Sequence, residues 1–147
     1  MFKHILIPVD GSEFSDRAID AGVRFAKTVN AHITGFIAEP EFRLPSQSQI
    51  VNRTFVSMSA HSERAQSHAQ SVLKRIGDRA AAEGVPFDAD FVECNDAVDA
   101  IVSAAEKHHC DLIVMASHGR RGLDKLLHGS AAQGVLSHTS IPVLVLH

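Results

Sequence analysis

The sequence predicts a single doubly wound α/β domain: a five-stranded parallel sheet, Rossmann-like, with helices on both faces. Three observations carry this expectation. First, Ile5-Leu6-Ile7-Pro8-Val9 and Leu112-Ile113-Val114-Met115-Ala116 are unbroken aliphatic runs rather than alternating ones, as strands covered on both faces of a parallel sheet must be. Second, apolar residues between the strand-like runs recur at helical spacing, so strand and helix alternate, and right-handed crossovers then place helices on both sides of the sheet. Third, the 147 residues, 45% apolar and 21% charged, suffice for one well-buried core. No repeat, low-complexity tract or linker divides them, so residues 1–147 read as one domain.

The elements follow in order. After the first strand and Asp10-Gly11-Ser12, the apolar positions Ala18, Ile19, Gly22, Val23, Ala26 and Val29 mark a first helix, with Ser15 as its N-cap and Asp16 in its first turn. Residues 31–38 read as a second strand. Pro40, Pro45 and a polar run then make residues 39–56 the one long loop, a flap beside the strand ends. Ala65, Ala69, Val72, Leu73, Ile76 and Ala80 form the next helical stripe, closed by Gly84 in the left-handed conformation. Phe87, Ala89 and Phe91 alternate with Asp88, Asp90 and Val92 as a third strand. Asp96 caps a helix whose inner face carries Ala97, Ile101, Ala104 and Ala105; after the Leu112 strand come a helix over residues 130–138 and a last strand over residues 142–146. The expected order is β-α-β-α-β-α-β-α-β.

Composition excludes several classes. The opening apolar run stops at Pro8 and Asp10, too short for a signal peptide or a membrane span. Cys94 and Cys110 form no CxxC pair, which argues against a disulfide or zinc scaffold and suits a reducing compartment, so a cytoplasmic location is expected. A net charge of −3 disfavours a general nucleic-acid or anionic-membrane binder. Among the ten histidines, the adjacent His108 and His109 cannot aim at one ion from a regular helix, and no metal site is expected.

In doubly wound sheets ligands sit beyond the C-terminal strand ends, where the winding reverses, and two strand ends carry chemistry here. Pro8-Val9-Asp10-Gly11-Ser12 follows the first strand. Met115-Ala116-Ser117-His118-Gly119-Arg120-Arg121-Gly122 follows the fourth, continuing to Gly129-Ser130. Gly119 and Gly129 lack Cβ atoms, so phosphates can approach the backbone amides, and Gly129-Ser130 opens a helix whose N-terminus attracts anions. His118, Arg120, Arg121, Lys125 and His128 concentrate positive charge in an acidic chain, as a polyphosphate site needs. Neither the Walker loop nor the dinucleotide Gly-x-Gly-x-x-Gly is present. Gly119-Arg120-Arg121-Gly122 also fits the GXXG clamp of KH RNA-binding modules, but that clamp joins two helices and this tetrad follows a strand.

These residues together resemble the universal stress proteins along nearly the whole chain: the opening Ile-Leu-Ile-Pro-Val-Asp-Gly-Ser, the lead-in from Cys110 to Met115, the loop from Ser117 to Leu123, Gly129-Ser130, and the closing Ile141-Pro142-Val143-Leu144-Val145. The family's ATP-binding branch carries Gly-x-x-Gly, nine residues, then Gly-Ser or Gly-Thr. That spacing is kept, with Ala116 at the first glycine's place and Gly119, Gly129 and Ser130 at the others. The resemblance implies a site in which Pro8, Val9, Asp10 and Ile37 surround the adenine, Asp10 fixing the base or ribose. Met115, Ala116, Gly119 and Arg120 lie along the ribose and phosphates, and Gly129, Ser130 and Ala131 hold the phosphate end. The implied ligand is ATP, or AMP or ADP, with Mg²⁺ carried by the nucleotide.

The function expected from this is a nucleotide-dependent regulatory protein of the stress response rather than an enzyme, since neither strand end shows a general base beside a nucleophile. Slow ATP turnover is left open, with His118 the nearest candidate base. An adenylating enzyme would need a Ser-Gly-Gly-x-Asp-Ser type loop after the first strand, which Val9-Asp10-Gly11-Ser12-Glu13 does not supply. The remaining alternative is an ATP-independent dimer acting as an interaction module on a protein partner. The last strand, apolar on both faces, would leave an exposed pairing edge, and a homodimer through its antiparallel copy is expected, as the family resemblance also implies.

Overall fold

The computed structural model describes residues 1–54, 56–117 and 130–146, and for Glu13 and Phe14 the backbone alone. Its elements are β1 (His4–Val9), α1 (Glu13–Val29), β2 (His32–Pro40), α2 (Gln47–Val51), α3 (Met58–Ala82), β3 (Phe87–Cys94), α4 (Ala97–Lys107), β4 (Leu112–Ala116), α5 (Ser130–His138) and β5 (Val143–Leu146). The strands form one sheet in the order β3-β2-β1-β4-β5, and every recorded pairing is parallel. The expected alternation holds with two differences: β2 runs on through Glu39 and Pro40, which the sequence placed in the long loop, and that loop holds the five-residue α2. A capping box at Ser46 and Gln49 starts it, each residue's side chain accepting from the other's backbone N–H.

The unbroken strands bury both faces, as their composition requires. Ile5, Ile7, Ile33, Ile37, Leu112 and Val114 face the layer of α1 and α3. Leu6, Phe36, Ile113 and Met115, one residue out of phase, face the layer of α4 and α5. The helical stripe read from Ala65 to Ala80 is the buried face of α3 residue for residue, and Ile101, Ala104 and Ala105 are that of α4, whereas Ala97 is exposed. Asp96 caps α4 by accepting from the N–H groups of Val98 and Asp99, and Gly84, at φ +70°, follows the end of α3.

One cap differs from expectation. The N-cap of α1 is Ser12, not Ser15. Ser15 lies inside the first turn, buried, where its hydroxyl serves Asp10 instead of the helix end.

Candidate functional site

The sheet order decides where a ligand can sit. From β1 the chain winds to β2 and β3 on one side, then returns to place β4 and β5 on the other, so the reversal falls between β1 and β4. The β1–β2 ladder runs from His4 opposite His32 to Val9 opposite Ile37. The β1–β4 ladder covers only Ile5 opposite Leu112 and Leu6 opposite Ile113. Beyond these pairs the two strands are not laddered, and the crevice outside the C-terminal strand ends at such a reversal is the place that doubly wound sheets use for ligands.

On the β1 side of this crevice stands a tight turn. Asp10 Oδ1 accepts from the Ser12 N–H at 2.9 Å and from the Ser15 hydroxyl at 2.8 Å, and the Asp10 N–H points back to Ser15 Oγ at 3.4 Å. Gly11 takes φ +79°, a left-handed conformation that admits glycine without strain. The turn therefore delivers the chain straight into the N-terminus of α1. On the β4 side, Ala116 is half-buried and the Ser117 N–H donates to Leu146 O at 2.7 Å, tying the exit of β4 to β5. Helix α5 follows a strand and precedes its parallel neighbour, so it begins at this same C-terminal edge, with Ser130 and Ala131 exposed in its first turn.

Register sets Pro8 opposite Phe36 and Val9 opposite Ile37, with Asp10 next along the chain; Met115 and Ala116 lie near the end of β4 on the other side of β1, and Ser130 and Ala131 begin α5. Several of these side chains serve the core: Pro8 is buried, and Val9, Ile37 and Met115 are 8%, 1% and 5% exposed. What Ile37 can offer a ligand is its backbone, because its side chain packs in the α1/α3 layer. Gly119, Arg120 and Gly129, and with them His118, Arg121, Lys125, His128 and the GXXG tetrad, lie outside the described residues.

One feature of this edge was not legible in the sequence. Glu39, at the end of β2, is buried, and its Oε1 pairs with Nδ1 of His68 on α3. Beside them His61 sets its Nε2 2.8 Å from Pro40 O and packs edge-on to Phe42, ring centroids 5.7 Å apart. The Asn95 amide donates to Glu41 at 2.6 Å, fastening the chain beyond β2 to the end of β3. The signal available in advance was a charged residue in the inward phase of an apolar strand, Ile33, Gly35, Ile37, Glu39. Among the described residues no group of three or more His, Cys, Asp or Glu is arranged to hold a metal ion, and no helix is long and apolar enough to cross a membrane.

A five-stranded parallel sheet whose winding reverses between β1 and β4, with helices on both faces, defines the doubly wound, Rossmann-like α/β class. Comparison with known proteins then narrows it: the pattern of the universal stress protein family matches residues 1–147, and the chain belongs to that family. Universal stress protein MJ0531 of Methanocaldococcus jannaschii is 32% identical over 149 residues, covering 99% of this chain and 82% of the relative. Among solved structures, that of MJ0577, a universal stress protein of the same organism, superposes with a TM-score of 0.81 at 24% identity, covering 99% of this chain and 96% of the other. A universal stress protein solved in complex with cAMP superposes with a TM-score of 0.73, also at 24% identity, covering 99% and 97%. At these identities the superpositions establish the fold.

Proposed function

We propose that this chain binds an adenine nucleotide, ATP foremost and AMP or ADP by the same contacts, in the crevice between β1 and β4, and that it acts as a nucleotide-dependent regulatory protein rather than as an enzyme. The observation that carries the reading is the convergence at the winding reversal: the Asp10-Gly11 turn closes one wall, and α5 begins at the same edge with Ser130 exposed. A helix start presents unpaired N–H groups and positive potential, which suits phosphates. A family member solved with cAMP supports an adenine nucleotide as the ligand class.

In this reading Pro8, Val9, Asp10 and the Ile37 backbone surround the base and ribose. Met115, Ala116, Gly119 and Arg120 follow the ribose and phosphates, and Gly129, Ser130 and Ala131 hold the phosphate end. Mg²⁺ would arrive on the nucleotide, bound mainly by phosphate oxygens and water. The free thiols Cys94 and Cys110 suit a reducing, cytoplasmic setting. Strand β5 is an edge of the sheet and Leu144 on it is exposed, which supports a homodimer through this strand, with a protein partner reading the nucleotide state.

Native mass spectrometry of freshly purified protein, followed by calorimetric titration with Mg²⁺ and ATP, tests the reading. The expected result is a co-purified adenine nucleotide, or saturable heat after its removal. Protein that carries none and gives no heat with ATP, ADP or AMP would return it to the alternative, an ATP-independent dimer built on the β5 edge.

A further inference from the structure

A cavity of about 270 Å³ lies where the end of β2 meets the first turns of α3, lined by Glu39, Pro40, His61, Arg64, Ala65 and His68. Two sequence patterns meet there. Along β2 the inward phase Ile33, Gly35, Ile37 closes with Glu39. Along α3 the positions 61, 64, 65 and 68 share one helical face, just where the apolar stripe of Ala65, Ala69 and Val72 begins. The fold thus sets a carboxylate beneath a polar opening at the border of the core.

Glu39 lies deep in this opening. Its side chain is 7% exposed, a costly place for a carboxylate whose oxygens lack donors. Oε1 pairs with His68 Nδ1, and Oε2 has no hydrogen-bond donor among the described residues. The two imidazoles are committed to the protein and serve as walls: His68 to Glu39, and His61 through Nε2 to Pro40 O at 2.8 Å, with Glu93 at 3.8 Å beyond it. Arg64 is the opposite case. It is exposed at the mouth, and among the described residues its guanidinium has neither an ion-pair nor a hydrogen-bond partner. One small cavity therefore offers a charged acceptor at its floor and an unengaged planar cation at its rim.

We propose that this cavity is a binding site for a small α-amino acid, separate from the nucleotide crevice: the ammonium group donates to Glu39 Oε2, and the carboxylate accepts from the Arg64 guanidinium. A simple cation would be repelled by Arg64, and a simple anion by the buried Glu39. A zwitterion satisfies both ends. The forked donors of arginine also match a carboxylate in a way that a point charge does not. Size sets the side chain. Drug-sized ligands fill roughly 300–1,000 Å³, and this cavity is smaller. Ala65, 6% exposed, gives it a wall of one methyl group. Glycine, alanine and serine fit such a space, and long or aromatic side chains do not.

NMR titration of the isotope-labelled wild type with glycine, L-alanine and L-serine, followed at the amides of Glu39, Arg64 and Ala65, tests the assignment. At least one of the three should give saturable shifts at these amides. Methylammonium and acetate, each carrying one of the two charges, should bind about tenfold or more weaker, because each leaves one charged group of the site unmatched. Arg64→Gln and Glu39→Gln should each weaken the amino acid about tenfold or more. Arg64→Gln changes an exposed side chain and leaves the Glu39–His68 pair in place, so it decides the matter even where Glu39→Gln fails to fold. Shifts that do not saturate with any of the three amino acids would overturn the proposal and leave Glu39 an anchor for α3 only. Equal affinity for methylammonium or acetate, or unchanged affinity in folded Arg64→Gln, would overturn it as well.

Discussion

Replacing Asp10 by alanine should damage the protein before any ligand is added. Its Oδ1 accepts two hydrogen bonds, from the Ser12 N–H at 2.9 Å and from the Ser15 hydroxyl at 2.8 Å, and Ser15 is 5% exposed, so its hydroxyl would lose its acceptor in a place that water barely reaches. Hydrogen bonds to a charged group contribute about 1.5–3 kcal/mol each. The two share one oxygen in a half-buried turn and do not add fully, so a loss of about 2–4 kcal/mol is expected, or roughly 6–12 °C in melting temperature for a chain of this size. Asp10→Asn keeps an acceptor oxygen for the turn but loses the charge, so it should cost the ligand-free protein less than Asp10→Ala does. If Asp10 also accepts from the base or ribose of a bound nucleotide, Asp10→Asn should still weaken ATP binding by about 1–3 kcal/mol. Thermal and urea unfolding of the ligand-free proteins, paired with calorimetric titration, separates the two roles. A ligand-free Asp10→Ala that melts within about 1 °C of the wild type would refute the turn network. Unchanged ATP affinity in Asp10→Asn would leave Asp10 a turn residue only.

Further outcomes follow from other parts of the structure. Gly129→Val should abolish ATP binding while the protein stays folded, and Ser130→Ala should weaken it by about 1–3 kcal/mol, both read by calorimetry; equal affinity in folded Gly129→Val would place the phosphate site elsewhere. Leu144→Lys should convert a β5-paired dimer to a monomer in sedimentation velocity, and it is the suitable position because Val143 and Val145 pack inward against the α4/α5 layer; a wild type that sediments as a monomer at micromolar concentration would exclude the dimer. Acid should destabilise the N-terminal edge of the sheet. Burial, with His32 and His108 nearby, holds His4 below its ordinary 6.5, so its contribution is complete above about 6.5, where the unfolded chain titrates, and is lost as pH falls below it. Asp90 is also held low: burial opposes this, but hydrogen bonds from Lys107 and His108 prevail, so its contribution is lost only at lower pH, below about 3.8. His4→Gln should therefore flatten the fall in urea midpoint between pH 7 and pH 5, and an identical fall in both proteins would contradict the role of His4. Burial pushes the Cys110 thiol up to about 12, so iodoacetamide should label half-buried Cys94 first and reach Cys110 only on unfolding.

What could be read from residue order alone was whatever depends on neighbours within one segment. The aliphatic runs at Ile5 and Leu112 marked buried parallel strands, the stripe from Ala65 to Ala80 matched the buried face of α3, and Asp96 and Gly84 punctuated helices, because a strand or helix period and a cap are properties of a few consecutive residues. Short-range competition was already harder to read: Ser12 and Ser15 are both plausible caps, and Ser15 went to Asp10 because the Gly11 turn folds the chain back on itself. The strands at the reversal point were nameable in advance, but their adjacency rests on the order β3-β2-β1-β4-β5, and alternation of strands and helices is compatible with more than one order. The pairing of Glu39 with His68 spans 29 residues. The cluster at the opposite edge joins His4 to Thr34, His32 to Asp88, and Asp90 to Lys107 and His108 across three strands and the end of α4. Such contacts carry no periodic signature. They exist because the packing of α3 on β2 and of α4 beside β3 brings distant polar groups to one place, and burial then makes their partners matter.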